Sequence, residues 1–145
     1  MPDALPLLLR DSRDADLPAI TAIYRHHVLH GTASFELDPP DQDEMTRRRG
    51  DVLAKCWPWI VAEDRETGVL GYAYANHFRP RPAYRFTVEN SIYVADGSRG
   101  RGLGRLLLAE LPLKSAVRLA ADITGRPKNS LYDAALALRK AGGDG

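Results

Sequence analysis

Three stretches, "WPWIVAED", "GVLGYAYANHF" and "AYRFTVENSIYVA", follow one another with only short connections between them. All three are rich in Val, Ile, Tyr, Phe and Trp, the residues that fit a pleated, half-buried surface. "DRETG" between the first two is a hairpin turn, and no segment between the three is long enough for a helical crossover. The pattern predicts three consecutive antiparallel strands. Immediately afterwards "SRGRGLGRLLL", from Ser98 to Leu108, sets glycines at alternate positions among arginines and passes into an apolar run.

Elements before and after this block complete the expected order. Leu5 to Leu9 read as a brief strand feeding a helix in which Leu17, Ile20, Ile23, Tyr24 and Val28 recur at helical spacing. Asp14 or Asp16 can cap that helix, and Pro18 sits where an early-turn proline is tolerated. "GTASFELDPPDQDE" reads as a loop and "DQDEMTRRRGDVLAK" as a second, mostly solvated helix. The helix opened by the glycine motif is expected to run to Leu111, with Pro112 interrupting or kinking it. From Leu113 onward no strand-like run occurs. That tail reads as two helices joined at "TGRPKN", with Leu113, Val117, Ala120 and Ile123 on one apolar stripe and Leu131, Ala135 and Leu138 on the other, and a frayed "AGGDG" end. The expected fold class is therefore α/β in the α+β sense: a mixed, mostly antiparallel sheet flanked by helices, followed by a C-terminal helical hairpin. The expected division is residues 1–111 and 112–145.

The glycine motif carries a chemistry of its own. Gly100, Gly102 and Gly104 let a bound group approach the backbone, and each can take positive φ to turn its N–H toward a common point. The first turn of the following helix adds unpaired N–H donors and the positive end of its dipole. Arg99, Arg101 and Arg105 supply charge-assisted bonds. The motif reads as a phosphate cradle, with a plain strand-to-helix turn bearing solvated arginines as the alternative. It is neither a Walker loop, since no Lys-Ser/Thr pair follows, nor a dinucleotide fingerprint, since Arg105 occupies the third glycine position.

Bulk properties exclude several other classes. The 145 residues fit one ordinary domain, and 20 Lys plus Arg against 19 Asp plus Glu give a net charge of +1, which argues against nucleic acid or an anionic membrane as a global partner. Cys56 is the single cysteine, so no internal disulfide or cysteine-rich zinc site forms, and it is expected to be buried beside Trp57. His26, His27, His30 and His77 show no ligand spacing, so no metal is expected. The N-terminus is too short and too acidic for a signal peptide, and no run approaches the length of a membrane span. A cytoplasmic location is the expectation.

Together with the strands before it, the loop resembles R/Q-x-x-G-x-G/A, the acetyl-CoA pyrophosphate loop of the GCN5-related N-acetyltransferases, matched by Arg99, Gly102 and Gly104. "ADLPAITAIYRHHVLHGTASFE", "FRPRPAYRFTVENSIYV" and "RGRGLGR" resemble, in order and spacing, the phosphinothricin N-acetyltransferase branch of that superfamily, over about Leu7 to Leu111. The resemblance implies acetyl transfer from acetyl-CoA, as co-substrate, to the amine of a small amino-acid-like acceptor of phosphinothricin or methionine sulfoximine type, by direct attack. It implies coenzyme contacts from the cradle, Arg99, Gly100, Arg101, Gly102, Leu103, Gly104 and Arg105, and from the backbone amides of Ile92, Tyr93 and Val94. Glu89, in "TVE", matches the residue taken as general base, with Val88, Ile92 and Tyr93 expected to lower the polarity around it. A solvated strand carboxylate is the alternative reading of Glu89. Arg79, Arg81 and Tyr84 match acceptor-binding positions, or else form a basic surface loop, and Phe35 matches a wall of the acceptor site, or else packs in the core.

The family's fifth strand and its later elements are not legible after Leu111, which leaves an open edge after "SIYV", reduced turnover and a homodimer pairing at that edge as expectations. "KNSLYDAALALRKAG" imitates the family's later Asn-containing helix through Asn129 and Tyr132, at altered spacing. Residues of about 112–140 resemble instead the small C-terminal helical domain of a 16S ribosomal RNA ribose methyltransferase, so the chain reads as an acetyltransferase front joined to a helical tail. Two rival functions remain open: an acyl-CoA binder without transfer, and an RNA-associated helical module using Arg118, Arg126, Lys128, Arg139 and Lys140.

Overall fold

Residues 7–142 are described by the computed structural model. β1 (Leu7–Asp11), β2 (Trp59–Asp64), β3 (Gly68–His77) and β4 (Val88–Val94) form one sheet in the order β1-β2-β3-β4, every pair antiparallel. The expected strand at Leu5 to Leu9 begins outside the described residues and runs on to Asp11. β2 starts one residue after Pro58, which cannot donate to a ladder. The β2–β3 turn closes because Asp64 Oδ1 accepts the N–H groups of Glu66 and Thr67, at 2.9 and 3.0 Å, and Gly68 takes φ +85°.

α1 (Leu17–His30) and α2 (Gln42–Ala54) are joined by the expected loop. α1 buries Leu17, Ile20, Ile23, Tyr24 and His27, so its apolar stripe includes a histidine. Asp41 caps α2 by accepting the Glu44 N–H at 2.9 Å. Asp16 occupies the cap position of α1 but does not cap it; its carboxylate takes a two-pronged bond from Arg10, at 2.7 and 2.9 Å, and the Arg13 N–H at 2.7 Å. Arg10 on β1 thereby fixes the angle at which the chain enters α1. The α1 face of the sheet is aromatic. Trp59 stacks on Tyr74 at 4.2 Å, Tyr72 lies 5.4 Å from Tyr93, and Tyr24 meets Tyr93 edge-on at 5.1 Å.

α3 (Leu103–Thr124) crosses the opposite face and differs most from expectation. It is a single helix running through Pro112, so neither the break nor the residue 111/112 division coincides with an element boundary. Pro112 denies a hydrogen bond to the Leu108 carbonyl, but both residues are on the solvent side, where that carbonyl can turn to water. The buried side keeps Leu103, Leu107, Leu111, Ser115 and Val117, and full burial of each leucine contributes about 1.5–3 kcal/mol. Gly71 permits the close approach: a Cβ there would stand 3.1 Å from the Tyr93 carbonyl and 3.4 Å from Leu107 Cδ1. Gly125, at φ +68°, ends α3, and α4 (Lys128–Gly142) packs back onto it. Tyr132 donates to Glu110 at 2.6 Å. Ile123 and Leu138, expected on apolar stripes, are 69% and 74% exposed. Of the expected frayed end, Ala141 and Gly142 lie within α4 and residues 143–145 lie outside the described residues. Cys56 is exposed with φ 61°, and Trp57 takes the buried position instead.

Candidate coenzyme and acceptor site along β4

β4 is an edge strand among the described residues, with β3 on one side only. The Phe78 N–H donates to Thr87 O at 3.1 Å and the Ala95 N–H to Leu70 O at 2.8 Å, which sets the alternation of the antiparallel ladder. Odd-numbered backbone groups of β4 turn to β3 and even-numbered ones to the open edge. Ile92 and Val94 therefore present free amides, whereas the Tyr93 amide is taken by the ladder and its ring packs against Tyr24, His27 and Tyr72. Burial foremost pushes the Tyr93 phenol up to about 12. His27 Nε2 donates to the Val94 carbonyl at 2.7 Å and holds the end of β4 against α1.

Beyond Val94 a single 3-10 turn, Asp96–Ser98, leads into the glycine loop. Gly100 and Gly102 take φ +76° and +79°, the left-handed region that favours glycine, while Gly104 is already helical. Gly102 precedes α3 without any side-chain cap, so the first-turn N–H groups of α3, on Leu103, Gly104 and Arg105, are free for an external acceptor. A Cβ on Gly104 would meet no atom within 4 Å, so space rather than backbone conformation is what glycine supplies there. The Leu103 side chain is core, and only its backbone faces the loop. Arg105 is exposed, Arg99 lies 3.5 Å from Asp96, and Arg101 lies 3.8 Å from Asp64. Asp64 is 2% exposed, and the two turn N–H groups hold its carboxyl below the usual range. Nothing in the alternating sequence singled out Asp64 as an internal anchor for Arg101, and His27 could be found only as the polar member of the α1 stripe.

At the other end of β4 the β3–β4 connection carries Arg79, Arg81 and Tyr84, which with Phe78 and Pro80 line an open pocket of about 660 Å³. Tyr84 meets Phe78 at 5.7 Å and Arg79 lies over the Phe78 ring at 5.0 Å, so the aromatic pair shapes the loop and the arginine forks stay unpaired among the described residues. Glu89 stands one residue into β4 opposite Asn76. It is exposed, so the apolar enclosure expected from Val88, Ile92 and Tyr93 is not formed around it. Phe35 is fully exposed and packs in no core; its neighbour Glu36 pins that loop by accepting from Tyr24 at 2.6 Å and from Arg48 at 2.6 Å. Arg48 foremost holds the Glu36 carboxyl low. The sheet thus sets a glycine loop with free backbone donors and a pocket lined by two arginines at opposite ends of one open strand, about 20 Å apart at 3.3 Å per residue.

The acetyltransferase (GNAT) family model matches residues 20–116. The chain belongs to this family. The GNAT chain is 58% identical over 103 residues to the phosphinothricin N-acetyltransferase of Alcaligenes faecalis, which covers 71% of this chain and 52% of that protein. It is 41% identical over 103 residues to an L-methionine sulfoximine/L-methionine sulfone acetyltransferase of Pseudomonas aeruginosa, at 71% and 60% coverage. It also superimposes on a GNAT superfamily phosphinothricin acetyltransferase from Sinorhizobium meliloti, solved in complex with AcCoA, with TM-score 0.73 and 47% identity over 75% of this chain and 59% of that one. The GNAT chain therefore spans between half and two thirds of the length of these relatives. A second family model, the RsmI C-terminal HTH domain, matches residues 95–139 and overlaps the first over residues 95–116, from the glycine loop into α3. No helix among the described residues is long and apolar enough to cross a membrane.

Proposed function

We propose that this chain binds acetyl-CoA along β4 and transfers its acetyl group to the amine of a small amino-acid-like acceptor of the phosphinothricin or methionine sulfoximine class. The observation that carries the reading is the uncapped start of α3 behind Gly100 and Gly102, whose left-handed backbones turn donors outward beside exposed Arg99 and Arg105. A diphosphate fits these donors, and Gly104 leaves room for it. The coenzyme supplies a thioester, whose carbonyl carbon the acceptor nitrogen attacks. The C–N bond forms, the oxyanion takes the Ile92 or Val94 N–H, and as the C–S bond breaks the second proton of the attacking nitrogen passes to the departing sulfur, directly or through water, so that the coenzyme leaves as the thiol. Glu89 receives the proton that the acceptor ammonium must lose, directly or across a bridging water, which its solvent contact allows. Arg79, Arg81 and Tyr84 hold the acceptor's oxyanions, with Phe35 presented from the loop beside Tyr24.

Acetyl-CoA-dependent thiol release with phosphinothricin and with methionine sulfoximine tests the reading, alongside calorimetry with acetyl-CoA alone. Thiol release that follows the acceptor concentration supports transfer; no heat with acetyl-CoA overturns it. A second reading, coenzyme binding without transfer, is favoured by the exposure of Glu89 and the open β4 edge, and heat without thiol release would select it. The same open edge suits a homodimer in which a second copy pairs with β4, and a sedimentation experiment with and without acetyl-CoA tests that pairing.

A further inference from the structure

The loop between α1 and α2, residues 31–41, has no regular secondary structure. Among the described residues, backbone–backbone bonds hold it only at its two ends, from the Gly31 N–H to the His27 carbonyl and from the Met45 N–H to the Asp41 carbonyl. Its large apolar side chains do not anchor it either, since Phe35 is 100% and Leu37 90% exposed. The polar groups at its middle do. Tyr24 has one hydroxyl proton, and the 2.6 Å contact to Glu36 Oε2 takes it. The Ser34 hydroxyl therefore donates to Tyr24 Oη at 3.0 Å, while Ser34 Oγ accepts the Glu36 N–H at 3.2 Å, and the ring of bonds closes on itself.

Arg48 completes the lock from α2. Its Nη2 donates to Glu36 Oε1 at 2.6 Å and its Nη1 to Oε2 at 3.1 Å, and its Nε is fixed by Glu44 at 2.8 Å. One carboxylate thus ties both helices to the middle of the loop, in the two-pronged geometry that makes such pairs strong and directional. Arg48 foremost holds the Glu36 carboxyl below its usual range, and burial foremost holds the Tyr24 phenol above its own, so acceptor and donor keep these roles at neutral pH. The lock is coupled to β4 as well. Tyr24 meets Tyr93 edge-on at 5.1 Å, and strand alternation puts Tyr93, Ser91 and Glu89 on one face of β4. Phe35, next to the locked carboxylate, has no packing of its own, so its place is set by Glu36.

We infer that Glu36 is a positioning residue for the acceptor: gripped by Tyr24 and Arg48, it holds Phe35 where an amino-acid-like acceptor meets it, and so sets acceptor affinity without taking part in the chemistry. The inference rests on the acetyltransferase reading.

An acceptor that binds only when the loop is in place shows its intrinsic dissociation constant divided by the fraction of molecules so arranged, so a lock closed in about one molecule in ten raises the acceptor KM about tenfold. At saturation every molecule is in place, and kcat is kept. Steady-state thiol release from the full chain measures both, with phosphinothricin or methionine sulfoximine varied at saturating acetyl-CoA, and then the reverse. Glu36→Gln keeps the size and gives up the charge; Tyr24→Phe keeps the ring on Tyr93 and gives up the hydroxyl. Both should raise the acceptor KM, Glu36→Gln by about tenfold, with kcat and the acetyl-CoA KM unchanged and thermal melting showing that the variants fold. Because Glu36 acts through Phe35, adding Glu36→Gln to Phe35→Ala should raise the acceptor KM no further. An unaltered acceptor KM in folded Glu36→Gln, a fall in kcat alone, or effects of Glu36→Gln and Phe35→Ala that multiply would overturn the inference, and Tyr24→Phe decides by the same measure if Glu36→Gln does not fold. Absence of acceptor-dependent thiol release from the native chain is a different failure, that of the acetyltransferase reading, and the inference falls with it.

Discussion

His27 Nε2 donates to the Val94 carbonyl across 2.7 Å, tying the last turn of α1 to the last residue of β4. Val94 is also the point from which the chain enters the glycine loop, so this bond sets the position of the loop relative to the sheet. His27→Ala leaves a half-buried carbonyl without its partner and should lower stability by about 1–3 kcal/mol. It should also weaken acetyl-CoA binding. Urea unfolding and calorimetry on the same sample check the pair of effects, and loss of stability with unaltered affinity would show that the loop holds its position without the histidine.

The two glycines at the start of α3 should respond in opposite senses. Gly102 has φ +79°, and a side chain there costs about 1–2 kcal/mol of backbone strain, so Gly102→Val should lose both stability and coenzyme affinity. Gly104 is helical with open space around its Cβ position, so Gly104→Ala should raise stability by up to about 1 kcal/mol through helix propensity. If the diphosphate lies against this turn, the added methyl occupies its space and acetyl-CoA affinity falls even as the melting temperature rises. An unchanged affinity in Gly104→Ala would move the coenzyme off that face of the helix.

Local patterns made most of this architecture legible. Runs rich in Val, Ile, Tyr, Phe and Trp bounded by turn residues marked β2, β3 and β4, and the stripe of Leu17, Ile20, Ile23 and Tyr24 marked α1. What escaped was decided by tertiary contact. Pro112 breaks a helix in isolation, but in α3 its missing bond faces solvent while Leu111 and Val117 stay buried on the other side. Cys56, expected to be buried, is exposed because its left-handed backbone just after α2 turns it outward while Trp57 beside it turns in. The turn of the glycine loop was readable because the positive φ at Gly100 and Gly102 follows from glycine itself. Glu89 and Phe35 were not, since exposure depends on what covers a residue and not on its own type.

Glu89→Gln separates binding from proton transfer. The amide is nearly isosteric but cannot accept a proton at neutral pH, so turnover should fall by about 10²- to 10⁴-fold. Acetyl-CoA affinity should stay unchanged, because the cradle lies at the other end of β4. Steady-state thiol release and calorimetry check the two readouts. Full turnover in the variant would transfer the base role to another group or to solvent.

Arg10 and Asp16 should give the protein part of its acid sensitivity. The Asp16 carboxyl is held below its ordinary value of 3.8, chiefly by the Arg10 guanidinium, with the Arg13 N–H adding to the effect against the opposing cost of burial. A carboxyl whose folded value is depressed stabilises the fold fully above its unfolded value, and that contribution drains away as pH falls through the folded one. Asp16→Asn removes the charge at every pH. Breaking a buried pair costs about 3–5 kcal/mol, and the lower end is expected because Arg10 keeps Glu63 at 2.8 Å. The stability gap between the native protein and Asp16→Asn should therefore be widest near neutrality and narrow below about pH 4, the ordinary aspartate range. Glu36, Glu63 and Asp64 are also held low, so both proteins weaken in acid, and only the difference isolates Asp16. Urea titrations at pH 7 and pH 3 (the two sides of that ordinary value) measure it, and a gap of equal size at both would show that Asp16 acts through shape and hydrogen bonding alone, without its charge.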